Sequence, residues 1–150
     1  MSVNGDNKGE KRSPIISIVK PETVDRAWGH CEQFLGTAVC KAHGELLLED
    51  AHKACLSGDM QLWMAFTAEP QFLGAAVTQL VEYPQFSAMR IVLLGGKRFD
   101  EWKAKLDDQI SDTARKLGCK RMEAFGRAGF VRSLQGLGYN KMYVAIGKEL

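Results

Sequence analysis

The chain has 150 residues, 45% of them hydrophobic and 25% charged. That balance excludes a disordered or fibrous protein and fits one ordinary globular domain, long enough to bury a core without a disulfide or metal staple. Twenty Lys and Arg against eighteen Asp and Glu leave a formal charge of +2, too small to mark a nucleic-acid-binding surface.

No membrane partner is expected either, because the longest apolar runs, such as Ile91 to Leu94, fall far short of the ~20 residues that span a bilayer. The four cysteines, Cys31, Cys40, Cys55 and Cys119, form no C-x-x-C pair, and the start of the chain shows no signal peptide. A soluble protein in a reducing, cytoplasmic setting is the expectation.

Residues 1–13 are polar and read as a flexible tail, with one domain over 14–150. Ile15, Ile16, Ile18 and Val19 form a β-branched run closed by Lys20-Pro21, which predicts a short strand. From Glu22-Thr23, the spacing of Val24, Ala27, Trp28, Cys31 and Phe34/Leu35 predicts a helix that stops at Gly36. A second helix is predicted from Glu45 to Leu56, ending at Ser57-Gly58-Asp59.

Three strands then follow in quick succession, Gln61–Thr67, Gln71–Val81 and Met89–Leu94. Their connections are too short for parallel crossovers, so the pairing is antiparallel. After Gly95-Gly96-Lys97-Arg98-Phe99 the period turns helical through Trp102, Leu106, Ile110, Ala114 and Leu117, with Gly118 in C-cap position. A strand over Arg121–Phe125, a short helix over Gly129–Leu137 and a last strand over Met142–Ile146 complete the order β-α-α-β-β-β-α-β-α-β. This is an α+β mixed sheet with one parallel crossover, running from Met89–Leu94 through the long helix to Arg121–Phe125.

That crossover begins with the glycine loop. Unpaired N–H groups and the positive end of a helix dipole converge there, glycine permits close approach, and Lys97 and Arg98 add two cations. The expected N-cap is Asp100. The loop matches neither G-x-x-x-x-G-K-[ST] nor G-x-G-x-x-G, so it permits a phosphate ligand without pointing to a nucleotide fold. A plain solvated turn is the competing reading.

The element order, the strand–glycine loop–long helix–strand core and the closing Gly126-Arg127-Ala128-Gly129-Phe130-Val131-Arg132-Ser133-Leu134-Gln135-Gly136-Leu137-Gly138-Tyr139 segment resemble the GNAT family of N-acyltransferases. The resemblance spans residues 15 to 148. It implies acetyl-CoA or a related acyl-CoA as co-substrate, a primary amine as acceptor, and a pyrophosphate loop at Leu94, Gly95, Gly96, Lys97, Arg98 and Phe99. More narrowly, Gln61-Leu62-Trp63, Ala75-Ala76-Val77-Thr78, Gly95-Gly96 ahead of Glu101-Trp102, Gly118-Cys119, Gly126-Arg127 and Lys148 resemble small GNAT-like proteins of tailed phages and prophages. That likeness implies phage structural proteins as partners and association with a virion or the host cytoplasm. A non-catalytic virion protein that keeps the fold is the alternative function.

The chain departs from the family pattern in three places. Adjacent glycines replace the spaced glycines of the usual pyrophosphate signature. Leu134 stands where many members carry a tyrosine that reprotonates the leaving thiolate, and leucine has no proton to give. Arg127 stands near a common asparagine and could hold a phosphate or carboxylate. Removing a proton from the amine calls for a carboxylate or a water chain near the cleft. Glu82 and Glu123 are the candidates, each with solvated strand-face carboxylate as its plainer reading. Tyr139 and Tyr143 are candidate hydroxyls, each also readable as packing.

Cys40-x-x-His43 and His52-x-x-Cys55 form a mirrored pair eight residues apart, a donor set acceptable to zinc. Ordinary packing is favoured over a metal, since the order differs from common zinc spacings and Cys55 fits an apolar helix face. Trp28, Trp63 and Trp102 fall on apolar phases and are expected in the core.

Overall fold

A computed structural model describes residues 13–40, 44–69, 71–126 and 128–150, with the side chains of Cys40 and Ala128 left aside. The tail expected over 1–13 lies almost wholly outside the described residues. Five strands form one sheet in sequence order: β1 (Ile15–Val19), β2 (Gln61–Phe66), β3 (Phe72–Glu82), β4 (Ser87–Gly96) and β5 (Arg121–Ala124). β1 through β4 pair antiparallel, and β4 pairs parallel with β5. The mixed sheet and its parallel crossover are as the sequence predicts.

Four helices accompany the sheet: α1 (Val24–Cys40), α2 (Leu48–Ser57), α3 (Phe99–Lys116) and α4 (Ala128–Gln135). One face of the sheet packs on α3 through Trp63, Leu73, Met89, Trp102, Leu106 and Ile110. The other packs on α1 and α2 through Val24, Trp28, Cys31, Leu35, Leu62, Val77 and Leu93. All three tryptophans are buried, and the Trp63 indole donates to Thr78 Oγ1 at 2.9 Å, which donates in turn to Gln61 Oε1 at 2.9 Å. Every buried polar atom among the described side chains has a partner.

Four boundaries differ from expectation. α1 runs through Gly36 to Cys40, because Ala38 and Val39 continue the apolar stripe and Thr37 Oγ1 bonds back to Gln33 O at 3.1 Å. α2 starts at Leu48, where the Asp50 carboxylate accepts from Leu47 N at 2.9 Å, and ends at Gly58 in the left-handed region (φ 86°). The N-cap of α3 is Arg98, not Asp100, itself left-handed at φ 57°. The strand expected over Met142–Ile146 does not form, and Met142, Tyr143, Val144 and Ile146 are exposed. β5 offers only four residues to pair with, and Tyr139 is anchored instead on α3 through Asp107.

Candidate functional site

β4 and β5 lie side by side only from Ala88 opposite Arg121 to Ile91 opposite Ala124. β5 ends there while β4 continues to Gly96. At the same level β4 bulges: Thr78 faces Ile91 and Val77 faces Leu93, so Val92 is the extra residue. A bulge bends its strand and increases its twist, and here the bend coincides with the loss of the neighbouring strand. From Val92 to Gly96 this edge of β4 therefore has no neighbouring strand among the described residues, a slot in the pairing that ends at the Ile91–Ala124 pair.

At the top of the slot lies a pocket of about 360 Å³. Leu94, Gly95, Gly96, Lys97 and Phe99 line it, and Phe34, Thr37 and Ala38 of α1 and Phe130 and Ser133 of α4 complete it. Five of the six loop residues predicted from sequence are thus gathered at one cavity. Arg98 is not among them, because its guanidinium is bound by Glu101 and reaches Gln71. Arg127 lies outside the described residues.

The loop is fixed by its own backbone. Lys97 N donates to Leu73 O at 2.7 Å, and Lys97 O accepts from the Trp102 indole at 2.8 Å. Gly95 and Gly96 belong to the end of β4, paired with Ala75 and Gly74. A Cβ on Gly95 would collide with the Phe34 carbonyl, and one on Gly96 with the Leu73 carbonyl. The close approach that glycine permits here is therefore between protein backbones. Helix geometry still aims the first N–H groups of α3 back toward the loop. The acidic residues of that first turn are neutralised locally, Glu101 by Arg98 and Asp100 by Lys103. Among the described residues Lys97 forms no ion pair and is exposed.

The lower end of β4 carries a different constellation. Arg90 and Glu123 are register partners, one pair before the strands part. They share the face opposite to Met89 and Met122, which pack toward α3. Glu123 is buried and accepts from Arg90 Nε at 2.9 Å, from Arg121 Nη2 at 3.2 Å and from the Tyr83 hydroxyl at 2.8 Å. Burial pushes the Glu123 carboxyl up, but the bonds from Tyr83 and Arg90, the charge of Arg90 and the bond from Arg121 outweigh it and hold it below the usual carboxylate range. The Arg90 guanidinium lies 4.4 Å over the Phe125 ring, and that of Arg121 lies 4.7 Å over Phe86.

The candidate catalytic residues are thereby placed. Glu123 adjoins the foot of the slot as the anion of an ion-pair cluster, a poor proton acceptor. Glu82 faces Ser87, nine residues and about 30 Å of strand from Gly96, so it stands near the lower end of β4 and away from the glycine loop. Tyr143 is exposed, with its ring 6.5 Å from that of Phe125. Tyr139 donates to Asp107 at 2.6 Å on α3, and burial followed by that carboxylate raises its pKa well above the ordinary phenol. Leu134 is buried.

Sequence reasoning missed the contributions of α1 and α4 to the pocket. Thr37 and Ala38 were hidden by ending the helix at Gly36, and Phe34 registered only as part of an apolar stripe. Of the mirrored metal motif, His43 and the Cys40 side chain lie outside the described residues. His52 bonds Asp25 at 2.9 Å and stacks on Trp28. Cys55 is buried opposite Cys31, and burial raises their thiols to about 11 and about 12, the charge of Cys55 adding to the latter. A thiol held protonated in this way is a weak nucleophile. No described helix is long and apolar enough to cross a membrane.

No protein-family profile and no curated protein sequence matches the chain. Solved structures do. Glucosamine-6-phosphate N-acetyltransferase from Arabidopsis thaliana is 11% identical with a TM-score of 0.66, covering 92% of this chain and 99% of its own. An aminoglycoside 6'-N-acetyltransferase from Acinetobacter baumannii is 12% identical with a TM-score of 0.64, covering 91% and 99%. An aminoglycoside N-acetyltransferase in complex with CoA is 13% identical with a TM-score of 0.64, covering 91% and 94%. With nearly full coverage on both sides and a mixed sheet that parts beside a glycine-ended strand, the chain has the fold of the GNAT N-acetyltransferases.

Proposed function

We propose that the protein binds acetyl-CoA or a related acyl-CoA and transfers the acyl group to a primary amine. The observation that carries this reading is the slot: a strand edge from Val92 to Gly96 that loses its neighbour at a bulge and opens into a pocket at a helix N-terminus. Such an edge suits an extended amide-bearing arm, because its own peptide groups face the gap. The head of α3 and Lys97 would hold the diphosphate at the top, with Leu94, Gly95, Gly96 and Phe99 shaping the pocket and Arg98 locking the helix start through Glu101. Fold neighbours that act on aminoglycosides or glucosamine 6-phosphate, one of them holding CoA, support the same reading.

In the transfer, the amine nitrogen attacks the thioester carbonyl, the C–N bond forms and the C–S bond breaks with the thiolate leaving. Neither proton movement has an obvious side chain. Glu123 is held as a carboxylate by two arginines, Leu134 cannot donate, and Tyr139 is turned to Asp107. Water therefore takes the amine proton and returns one to the thiolate, and of the two candidate hydroxyls Tyr139 is the one committed elsewhere.

Calorimetric titration with acetyl-CoA tests the proposal. Micromolar binding is expected, and Lys97→Glu should weaken it roughly tenfold with an unchanged melting temperature. Absence of heat and of any thermal shift would overturn it. A second reading, a non-catalytic protein that keeps the fold, as in a phage particle, is favoured by one observation: Leu134 is buried and the neighbouring Tyr139 hydroxyl is committed to α3. Binding of acetyl-CoA with no thiol released to any primary amine would select it.

A further inference from the structure

An arm entering at Gly96 and following β4 to the end of the slot at Ile91 covers five residues, about 17 Å. Its reactive end then meets the Arg90–Glu123 pair, which lies one register step further on. This foot of the slot is unlike the rest of the sheet. Two guanidiniums share one buried carboxylate, which leaves a local surplus of one positive charge.

The arginines are also held in a particular way. Arg90 spends Nε on Glu123 and Nη2 on Glu123 and Tyr83, while Arg121 spends Nε and Nη2 on Glu123. Each fork keeps its other terminal nitrogen, Nη1, outside the ion pair. Aromatic rings cover the flat sides, Phe125 over Arg90 and Phe86 with Tyr83 over Arg121, so what remains open is Nη1 of Arg90 and, on Arg121, the edge formed by Nη1 and the second Nη2 proton. Their side chains are 24% and 31% exposed, enough to reach a ligand and too little to be fully hydrated. Phe125 and Tyr143, each more than half exposed and in ring contact, stand beside them.

We propose that the foot of the slot is an acceptor subsite for a primary amine that also carries one anionic group, a carboxylate or phosphate. The anion would be held by the open donors of Arg90 and Arg121 and the carbon skeleton by Phe125 and Tyr143. The Nη1–Nη2 edge of Arg121 can pair with either oxyanion through two parallel bonds, and Nη1 of Arg90 can add a third. Polycationic amines would be disfavoured by the same surplus charge. The proposal deepens the acyl-transfer reading and rests on it for the direction from which the amine is attacked.

Two measurements keep the claims separable. In the protein without acetyl-CoA, titration with phosphoethanolamine and with β-alanine should saturate, ethanolamine and 1,4-diaminobutane should not, and Arg121→Gln should weaken the anionic ligands at least tenfold. With acetyl-CoA, thiol release should show kcat/KM at least tenfold higher for the anionic amines, the stronger of phosphoethanolamine and β-alanine telling phosphate from carboxylate. Lys97→Glu should weaken acetyl-CoA without changing that ratio.

If Arg121→Gln does not fold, Arg121→Lys, which keeps the charge and loses the fork, should retain the sign of the preference at reduced size. Saturable anionic binding with no affinity for acetyl-CoA would remove the transferase reading and leave the subsite. Acetyl-CoA binding with ethanolamine or 1,4-diaminobutane as the equal or better acceptor would overturn the subsite.

Discussion

The two ends of β4 are built by different physics. At the upper end, Gly95 and Gly96 let the Phe34 and Leu73 carbonyls come within reach of a strand edge, and the Trp102 indole holds the loop by one bond to Lys97 O. Volume and backbone geometry set its shape. At the lower end, Arg90, Arg121, Glu123 and Tyr83 hold the β4–β5 junction through charge. The upper end should therefore answer to added or removed atoms and ignore pH, and the lower end should do the reverse.

The largest effect expected is at the upper end. Trp102 is 1% exposed, packs edge-on against Phe99 at 4.9 Å and carries the indole bond to the loop. Trp102→Ala should cost about 3–5 kcal/mol in denaturant unfolding and abolish acetyl-CoA binding together with stability. Loss of binding without loss of stability would show that the indole serves the ligand and not the core.

At the lower end Glu123→Gln should cost about 2–3 kcal/mol at neutral pH, below the usual figure for a fully buried pair because both arginines retain contact with water. The pH dependence gives the sign. The folded carboxyl lies below its ordinary value, so its contribution is present in full above about pH 4.3 and is lost as the pH falls through the folded value. The gap between the natural protein and the variant should narrow in that acid range. A gap independent of pH would mean the cluster does not work through charge.

A smaller change probes backbone crowding alone. Gly95→Ala should cost about 1–3 kcal/mol, the range for overpacking, since the obstacle is the Phe34 carbonyl and not a mobile side chain. Unlike Glu123→Gln, its cost should be the same from acid to neutral pH. An unchanged melting temperature would mean α1 can move away from the slot.

The same division explains how much was legible in the sequence. Periodicity located β1 through β5 and three of the four helices to within a few residues, because apolar spacing along one element is a local property. It also marked Leu94 to Phe99, where glycine and cation stand together. What it did not reveal was non-local. That Phe34, Thr37 and Ala38 meet Gly95 depends on α1 crossing the sheet, and that Glu123 is claimed by Arg90, thirty-three positions earlier, depends on the parallel register. Met142 to Ile146 has a strand's composition and forms none, since pairing needs an accepting edge as well as a propensity.

The smallest expected effect concerns Tyr139, which belongs to neither end. Its hydroxyl bonds Asp107 on the far side of the sheet at 2.6 Å, part-buried, and its pKa is raised by burial and by that carboxylate. A raised phenol stays protonated through the neutral range, so it gives a steady hydrogen bond and no titration. Tyr139→Phe should cost about 1–2 kcal/mol, leave acetyl-CoA affinity unchanged and leave the pH dependence of stability around neutrality unaltered. A variant as stable as the parent that nonetheless binds acetyl-CoA more weakly would place this tyrosine in the slot, and with it restore a proton donor to the chemistry that Leu134 lacks.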